Sequence, residues 1–119
     1  MKQQNILIVE DDESLLSTLT LYLEQSDYEV VAAKEMDSAI QALGATRFDF
    51  LIIDLQVGTR RGEEIFYFLG VSLLPPPKKI IAITANPQQL DGSMLGFIVT
   101  FVMVKPFRLE DLVENLRAA

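Results

Sequence analysis

The sequence contains no cysteine and no histidine. Without cysteine there are no disulfides and no thiolate metal sites, an absence that favours a reducing, cytoplasmic setting. Without histidine the chain has no imidazole base, no imidazole metal ligand and no phosphohistidine, so its chemistry must rest on carboxylates, lysine and hydroxyls. A secretion signal is lacking too. The opening MKQQNILIVEDD has no basic region leading into a long apolar stretch, because its apolar run covers only Ile6 to Val9 and ends in acid. No stretch reaches the roughly 18 apolar residues that a membrane helix needs, so a soluble cytoplasmic protein without membrane association is expected. Positive charge is also scarce: ten basic residues against seventeen acidic ones leave a formal charge of −7. The basic residues form no block beyond Arg60-Arg61 and Lys78-Lys79, which disfavours direct binding of nucleic acid by this segment.

What is present is apolar and ordered. At 119 residues, half of them apolar and 23% charged, the chain predicts a single domain over 1–119. Five short apolar runs alternate with helix-like stretches, the pattern of an α/β fold with a parallel sheet. The runs are Asn5 to Glu10, Glu29 to Ala33, Phe48 to Asp54, Lys79 to Thr84 and Val99 to Val104. Ile6-Leu7-Ile8-Val9, Leu51-Ile52-Ile53 and Ile80-Ile81-Ala82-Ile83 are nearly continuous in apolar residues, as central strands covered on both faces must be. Amphipathic spacing predicts helices over Ser14 to Gln25, Met36 to Ala45 and Arg108 to Ala118. A third helix is expected from about Gly62 to Leu69 or Gly70, ahead of the extended connector Leu73-Leu74-Pro75-Pro76-Pro77. The stretch Asn86-Pro87-Gln88-Gln89 offers a capped start for a fourth helix, while Gly92 and Gly96 shorten or loosen its continuation.

In such a sheet, ligands bind in the crevice at the carboxyl ends of the strands. Here the first strand ends in Glu10-Asp11-Asp12, the third in Asp54, the fourth in Thr84 and the fifth in Lys105. Each residue has an ordinary reading of its own: Asp12 or Ser14 as a helix cap, Asp54 as a turn former, Lys105-Pro106 as a loop. The combination, at the ends of four different strands, is what points to chemistry. Crowded carboxylates call for a hard divalent cation such as Mg²⁺. A cation that uses few carboxylates can hold phosphate oxygens while Asp54, alone at the end of a buried strand, acts as the nucleophile toward phosphorus. Lys105 would offset phosphoryl charge and Thr84 would donate to a phosphoryl oxygen.

With these residues in order, the sequence resembles the receiver domains of two-component signalling, the CheY-like superfamily. The resemblance is carried by ILIVEDDES, FDFLIIDL around Asp54, Gly62 eight residues later, KIIAITAN, VMVKPF and a closing amphipathic helix. It implies a five-stranded, doubly wound, flavodoxin-like sandwich with strand order 2-1-3-4-5. It also implies a signalling domain rather than an enzyme, one that catalyses at most its own phosphorylation and dephosphorylation. By position, Glu10 and Asp11 correspond to the acidic pair for Mg²⁺, with Asp12 a lesser third acid, and Asp54 to the phosphoacceptor. Gln56 corresponds to the residue whose backbone carbonyl ligates the metal, Thr84 to the switch hydroxyl and Lys105 to the conserved lysine. The Lys105-Pro106 bond corresponds to one that is cis in the family and aims the lysine into the pocket. Gln56 and Asn86 flank the site and would tune access of hydrolytic water. The implied partner is a sensor histidine kinase or phosphotransfer protein on a separate chain or domain. The implied output is altered partner binding, or a homodimer, through the face of the fourth helix, fifth strand and fifth helix.

The sequence departs from that pattern in three places. Val57 and Gly58 replace a common methionine and proline, which predicts a looser loop after Asp54. Val102 stands where the family usually has an inward-turning aromatic, and strand alternation points Phe101 to the opposite face. The stretch from Gly96 to Val102 is unusually apolar, and either packs as a different fifth strand or covers an interface. These departures support a competing reading, a degenerate receiver acting as a phosphorylation-independent interaction or dimerisation module. A phosphate-ester hydrolase is disfavoured because Gln56 occupies the position of the second acid it needs. A flavin or nucleotide carrier is disfavoured because no glycine-rich phosphate loop comes after a strand.

Overall fold

A computed structural model describes residues 3–86 and 99–118 of the chain. The chain runs β1 (Asn5–Val9), α1 (Glu13–Gln25), β2 (Glu29–Ala33), α2 (Met36–Ala45) and β3 (Phe50–Asp54). Next come two very short strands, β4 (Gln56–Val57) and β5 (Arg60–Arg61), then α3 (Glu63–Val71), β6 (Lys79–Thr84), β7 (Phe101–Val104) and a final helix α4 (Leu109–Arg117). The main sheet has the order β2-β1-β3-β6-β7, and all of its pairs are parallel. With the short antiparallel β4-β5 ladder set aside, this is the second-first-third-fourth-fifth order of a doubly wound α/β sandwich. Among the described residues no helix is long and apolar enough to cross a membrane.

The two-residue period of a strand explains why the central strands are apolar at every position. Leu7, Val9, Leu51, Ile53 and Ala82 face one layer, where they meet Ala39 and Leu43 of α2 and Ile65 and Phe66 of α3. Ile6, Ile8, Ile52, Ile81 and Ile83 face the other, against Leu19 and Leu23 of α1 and Leu112, Val113 and Leu116 of α4. Each fully buried side chain of this size contributes about 1.5–3 kcal/mol. Both faces are thus closed, and the polar residues at the strand ends are the places left for chemistry.

Element boundaries differ from the sequence expectation for local reasons. Asp12 closes α1 at its start, its Oδ1 accepting from the amides of Ser14 at 3.0 Å and Leu15 at 3.2 Å, so β1 stops at Val9 and the helix begins at Glu13. The third strand begins at Phe50, not Phe48, because Asp49 and Asn5 are locked together by side chains. The Asp49 amide donates to Asn5 Oδ1 at 2.8 Å and the Asn5 amide to Asp49 Oδ2 at 2.9 Å. The last strand begins at Phe101, not Val99, because the Thr100 hydroxyl oxygen accepts from the Ile80 amide at 3.2 Å where a ladder carbonyl would stand. Helix α3 runs through Gly70 to Val71, and the Ser72 hydroxyl then accepts from the Leu74 amide at 3.2 Å, turning the chain into the proline connector. Helix α4 is tied down at its end by Lys79, whose ammonium donates to the carbonyls of Asn115 at 3.1 Å and Leu116 at 3.0 Å and to that of Ala118. The expected fourth helix, with Gly92 and Gly96, lies outside the described residues.

Gly62 is placed by a close approach. A Cβ there would sit 3.0 Å from the Asp54 carbonyl oxygen and 3.1 Å from Leu55 Cα, both backbone atoms that cannot turn aside. The Gly62 amide also donates to the Leu55 carbonyl at 2.9 Å, which holds α3 directly under the end of β3. Gly62→Ala is therefore expected to lower the urea-unfolding free energy by about 1–3 kcal/mol. Gly70→Ala, in a helix with open space around it, is expected to leave stability unchanged or to raise it by up to ~1 kcal/mol.

Candidate functional site

Because the strands are parallel and in register, their carboxyl ends form one rim. Val9 is level with Ile53, Asp54 with Ile83, and Thr84 with Val104. The residues at or immediately beyond those positions are Glu10 after β1, Asp54 closing β3, Thr84 closing β6 and Lys105 after β7. Glu10, Asp54 and Thr84 are buried, whereas Asp11 is exposed. Carboxylate oxygens of Glu10, Asp11 and Asp54 all lie within 4.8 Å of one another.

Lys105 stands at the centre of this rim. Its ammonium donates to Glu10 Oε1 and to Asp54 Oδ2, both at 2.6 Å, and the Lys105-Pro106 bond is cis. Three further carboxylate oxygens are met by backbone amides. Gln56 donates to Asp54 Oδ1 at 2.9 Å, Asp12 to Glu10 Oε2 at 3.2 Å and Gly58 to Asp11 Oδ2 at 2.9 Å. A cleft of about 290 Å³ opens beside them, lined by Asp11, Asp54, Gln56, Gly58, Thr84, Ala85 and Asn86. Thr84 turns its hydroxyl to the backbone of Asn86, accepting from its amide at 3.0 Å and donating to its carbonyl at 3.1 Å.

The electrostatics are set by this packing. Burial pushes the Glu10 carboxyl up to about 7, against the opposing pull of the bonds from Lys105 and Asp12, with the Asp54 charge adding to the rise. The Gly58 amide holds the Asp11 carboxyl below its ordinary value. Burial works against the charge on Lys105, but its bonds to Asp54 and Glu10 outweigh it and hold the ammonium above its ordinary value. Fully ionised, three carboxylates and one ammonium carry two net negative charges. The donor set is oxygen only, compact and of the charge a hard divalent cation neutralises, so the residues present fit Mg²⁺.

Of the residues singled out in the sequence, the structure brings Glu10, Asp11, Asp54, the Gln56 backbone, Thr84, Asn86 and Lys105 to one cleft or its floor. Asp12 is a helix cap, the ordinary reading of that acid. Val102 does not reach the site: it lies exposed on β7 beside Val104, while Phe101 and Met103 pack toward α1 and α4. The residues from 96 to 98 of the apolar stretch lie outside the described residues. The loop after Asp54 is the one that Val57 and Gly58 lead the sequence to predict as looser. It closes into the β4-β5 ladder, with Val57 buried and Gly58 at a φ of +62° turning its amide onto Asp11. Sequence reasoning missed this amide. The glycine was the signal, since only the left-handed region makes glycine preferable at a position with open space around it.

Over residues 6–117 the sequence matches the response regulator receiver domain family. It is 28% identical over 118 residues to the alkaline phosphatase synthesis transcriptional regulatory protein PhoP of Bacillus subtilis, covering 97% of this chain and 48% of that protein. It is 31% identical over 114 residues to the response regulator ArlR of Staphylococcus aureus, covering 95% of this chain and 51% of that one. The chain spans about half the length of these curated relatives. Its fold is similar, at a TM-score of 0.85 and 24% identity, to the receiver domain of a sensor histidine kinase from Pseudomonas aeruginosa, over 98% of this chain and 96% of that one. A response regulator from Burkholderia pseudomallei is similar at a TM-score of 0.80 and 24% identity, over 98% and 68% of the respective chains. The protein belongs to the response regulator receiver domain family, whose members are signalling domains of two-component systems.

The raised Glu10 carboxyl makes stability depend on pH. Its proton is held more tightly in the folded state than in the unfolded one, so its contribution is fully present below about 4.5 and is lost as pH rises through about 7. In chelator-treated protein, urea unfolding from pH 4.5 to 8 should show the native chain losing roughly 1–3 kcal/mol relative to Glu10→Gln. Parallel profiles for the two proteins would show that Glu10 titrates normally.

Proposed function

We propose that this chain is a phosphorylation-dependent switch that accepts a phosphoryl group on Asp54 in a Mg²⁺-dependent reaction and changes its partner binding as a result. The observation that carries this reading is the Asp54 carboxylate held between the Lys105 ammonium and the Gln56 amide, beside Glu10 and Asp11. Similar folds add support: the Pseudomonas receiver is described with a magnesium ion coordinated in its active-site cleft, and the Burkholderia regulator with a phosphorylated aspartic acid and a calcium ion.

Glu10, Asp11, Asp54 and the Gln56 carbonyl would hold the cation, which supplies charge neutralisation for phosphoryl oxygens. A carboxylate oxygen of Asp54 attacks phosphorus. The bond from phosphorus to the donor breaks and the donor leaves with the electron pair, as the imidazole of a phosphohistidine on a kinase or phosphotransfer partner, or as acetate from acetyl phosphate. Lys105 is already within hydrogen-bond reach of Asp54 and faces the charge that arrives. The Thr84 hydroxyl must leave the Asn86 backbone to donate to the new phosphoryl group, which ties occupancy of Asp54 to the chain beyond β6. Hydrolysis by water, with access shaped by Gln56 and Asn86 at the cleft, returns the carboxylate.

One observation favours the second reading, a constitutive interaction or dimerisation module. Val102 and Val104 leave an aliphatic surface exposed on the edge strand β7, with no aromatic at the position that would turn inward. Acetyl phosphate with Mg²⁺ should add one phosphoryl group by mass spectrometry, and chelation or Asp54→Asn should abolish it. The same addition in Asp54→Asn would sink the assignment. Light scattering separates the two readings: association that appears only on phosphorylation supports the switch, and identical association in Asp54→Asn supports the constitutive module.

A further inference from the structure

The β4-β5 ladder has only two pairs, Gln56 with Arg61 and Val57 with Arg60, and so short a ribbon has little stability of its own. Two things hold it. Val57 is buried in the layer under α2 and α3. Arg60 reaches from β5 to both helices. Its Nε donates to both carboxylate oxygens of Glu64 on α3, at 3.1 and 3.2 Å, and its Nη2 donates to Glu64 Oε1 at 2.8 Å. Its Nη1 donates to Asp37 Oδ1 on α2. A guanidinium forked onto Glu64 and shared with Asp37 ties β5 to both helices through partly exposed side chains, with the geometry set mainly by the Glu64 pair.

At the tip of that ladder lies Gly58, whose amide meets Asp11 Oδ2 at 2.9 Å. Asp11 is otherwise an exposed side chain on the loop after β1, with the Glu10 carboxyl as its other side-chain partner. Holding one of its oxygens fixes the carboxylate in the arrangement in which Glu10, Asp11 and Asp54 each offer an oxygen within 4.8 Å of the others. We propose that Arg60 is a positioning residue for cation binding: by pinning the β4-β5 ladder to α2 and α3 it holds the Gly58 amide on Asp11 and presets that carboxylate for a divalent cation. This rests on the reading of the acid cluster as a Mg²⁺ site.

The sign of the effect separates this role from simple electrostatics. Removing a positive charge near a cation site strengthens cation binding, whereas loosening a ligand weakens it. The test is isothermal titration of the whole chain with Mg²⁺ alone, no phosphodonor being present. Arg60→Ala should weaken binding about three- to tenfold, less than the loss typical when a direct partner of a ligand is removed. Arg60→Lys, which keeps the charge but not the fork, should recover only part of it. Arg61→Ala removes the same charge from the neighbouring ladder position, where the Arg61 guanidinium meets Glu63, and should leave binding unchanged or slightly stronger. In metal-free protein, hydrogen exchange at the Gly58 amide should speed up in Arg60→Ala and not in Arg61→Ala. If Arg60→Ala does not fold, Asp37→Asn with Glu64→Gln releases the same guanidinium from the other side. Binding within about twofold of the parent, or an equal loss in Arg61→Ala, would overturn the proposal. A parent chain that binds Mg²⁺ but takes no phosphoryl group defeats the functional reading and leaves this one standing. A parent that binds no Mg²⁺ defeats both.

Discussion

The contact on which the site depends is the one Lys105 makes with Glu10 and Asp54, at 2.6 Å to each. A parallel sheet covered on both faces brings the ends of β1, β3 and β6 to one rim whether or not the residues there repel one another. Burial of Glu10 and Asp54 at that rim removes the water that would otherwise separate their charges. An ammonium between them is what allows the rim to carry acid at all, and the same ammonium stands where phosphoryl charge would arrive. Stability and chemistry therefore share one side chain.

That sharing is incomplete. Lys105 meets one oxygen each of Glu10 and Asp54, and backbone amides of Asp12, Gln56 and Gly58 meet other oxygens of the three acids. Amides cannot neutralise charge, so a net deficit of positive charge remains in a pocket already supplied with well-placed donors. A small cation that keeps several waters needs few carboxylates, and Glu10, Asp11 and Asp54 offer three. The loop after Asp54 takes part in this, since two of the three amides come from the short stretch between Gln56 and Gly58.

Much of this was legible in the sequence because it rests on rules of period and position. Unbroken apolar runs such as Ile6 to Val9 mean a strand covered on both faces, and their strand-end acids, hydroxyl and lysine fall on one rim by topology alone. The less legible parts depend on single contacts between distant residues. The mutual side-chain lock of Asn5 and Asp49 moves the start of β3, and nothing in the run from Phe48 announces it. The loop LQVGTRRG reads as a weakened turn because its glycine lacks the stiffness of proline. What stiffens it is Arg60, whose acceptors on α2 and α3 stand 23 residues before it and four after it. A spacing of that kind has no period to betray it.

In the proposed function, acceptance of a phosphoryl group and transmission of that event would draw on different parts of the chain. Acceptance would use groups that are already in contact: Lys105, Asp54, Glu10 and the amides around them. Transmission requires something to change shape, and among the described residues the group at the cleft with two mutually exclusive partners is the Thr84 hydroxyl, now on the Asn86 backbone. Movement of that hydroxyl toward Asp54 would break its two bonds to the Asn86 backbone, and this cost would be met by the bond it gains to phosphate. A charged acceptor strengthens such a bond roughly twofold over a neutral one, so one bond to phosphate would roughly balance the two given up. With Val102 in place of an aromatic, the energy of such a switch would come from the hydroxyl's own exchange of partners and from the exposed valine surface of β7 that a partner could cover.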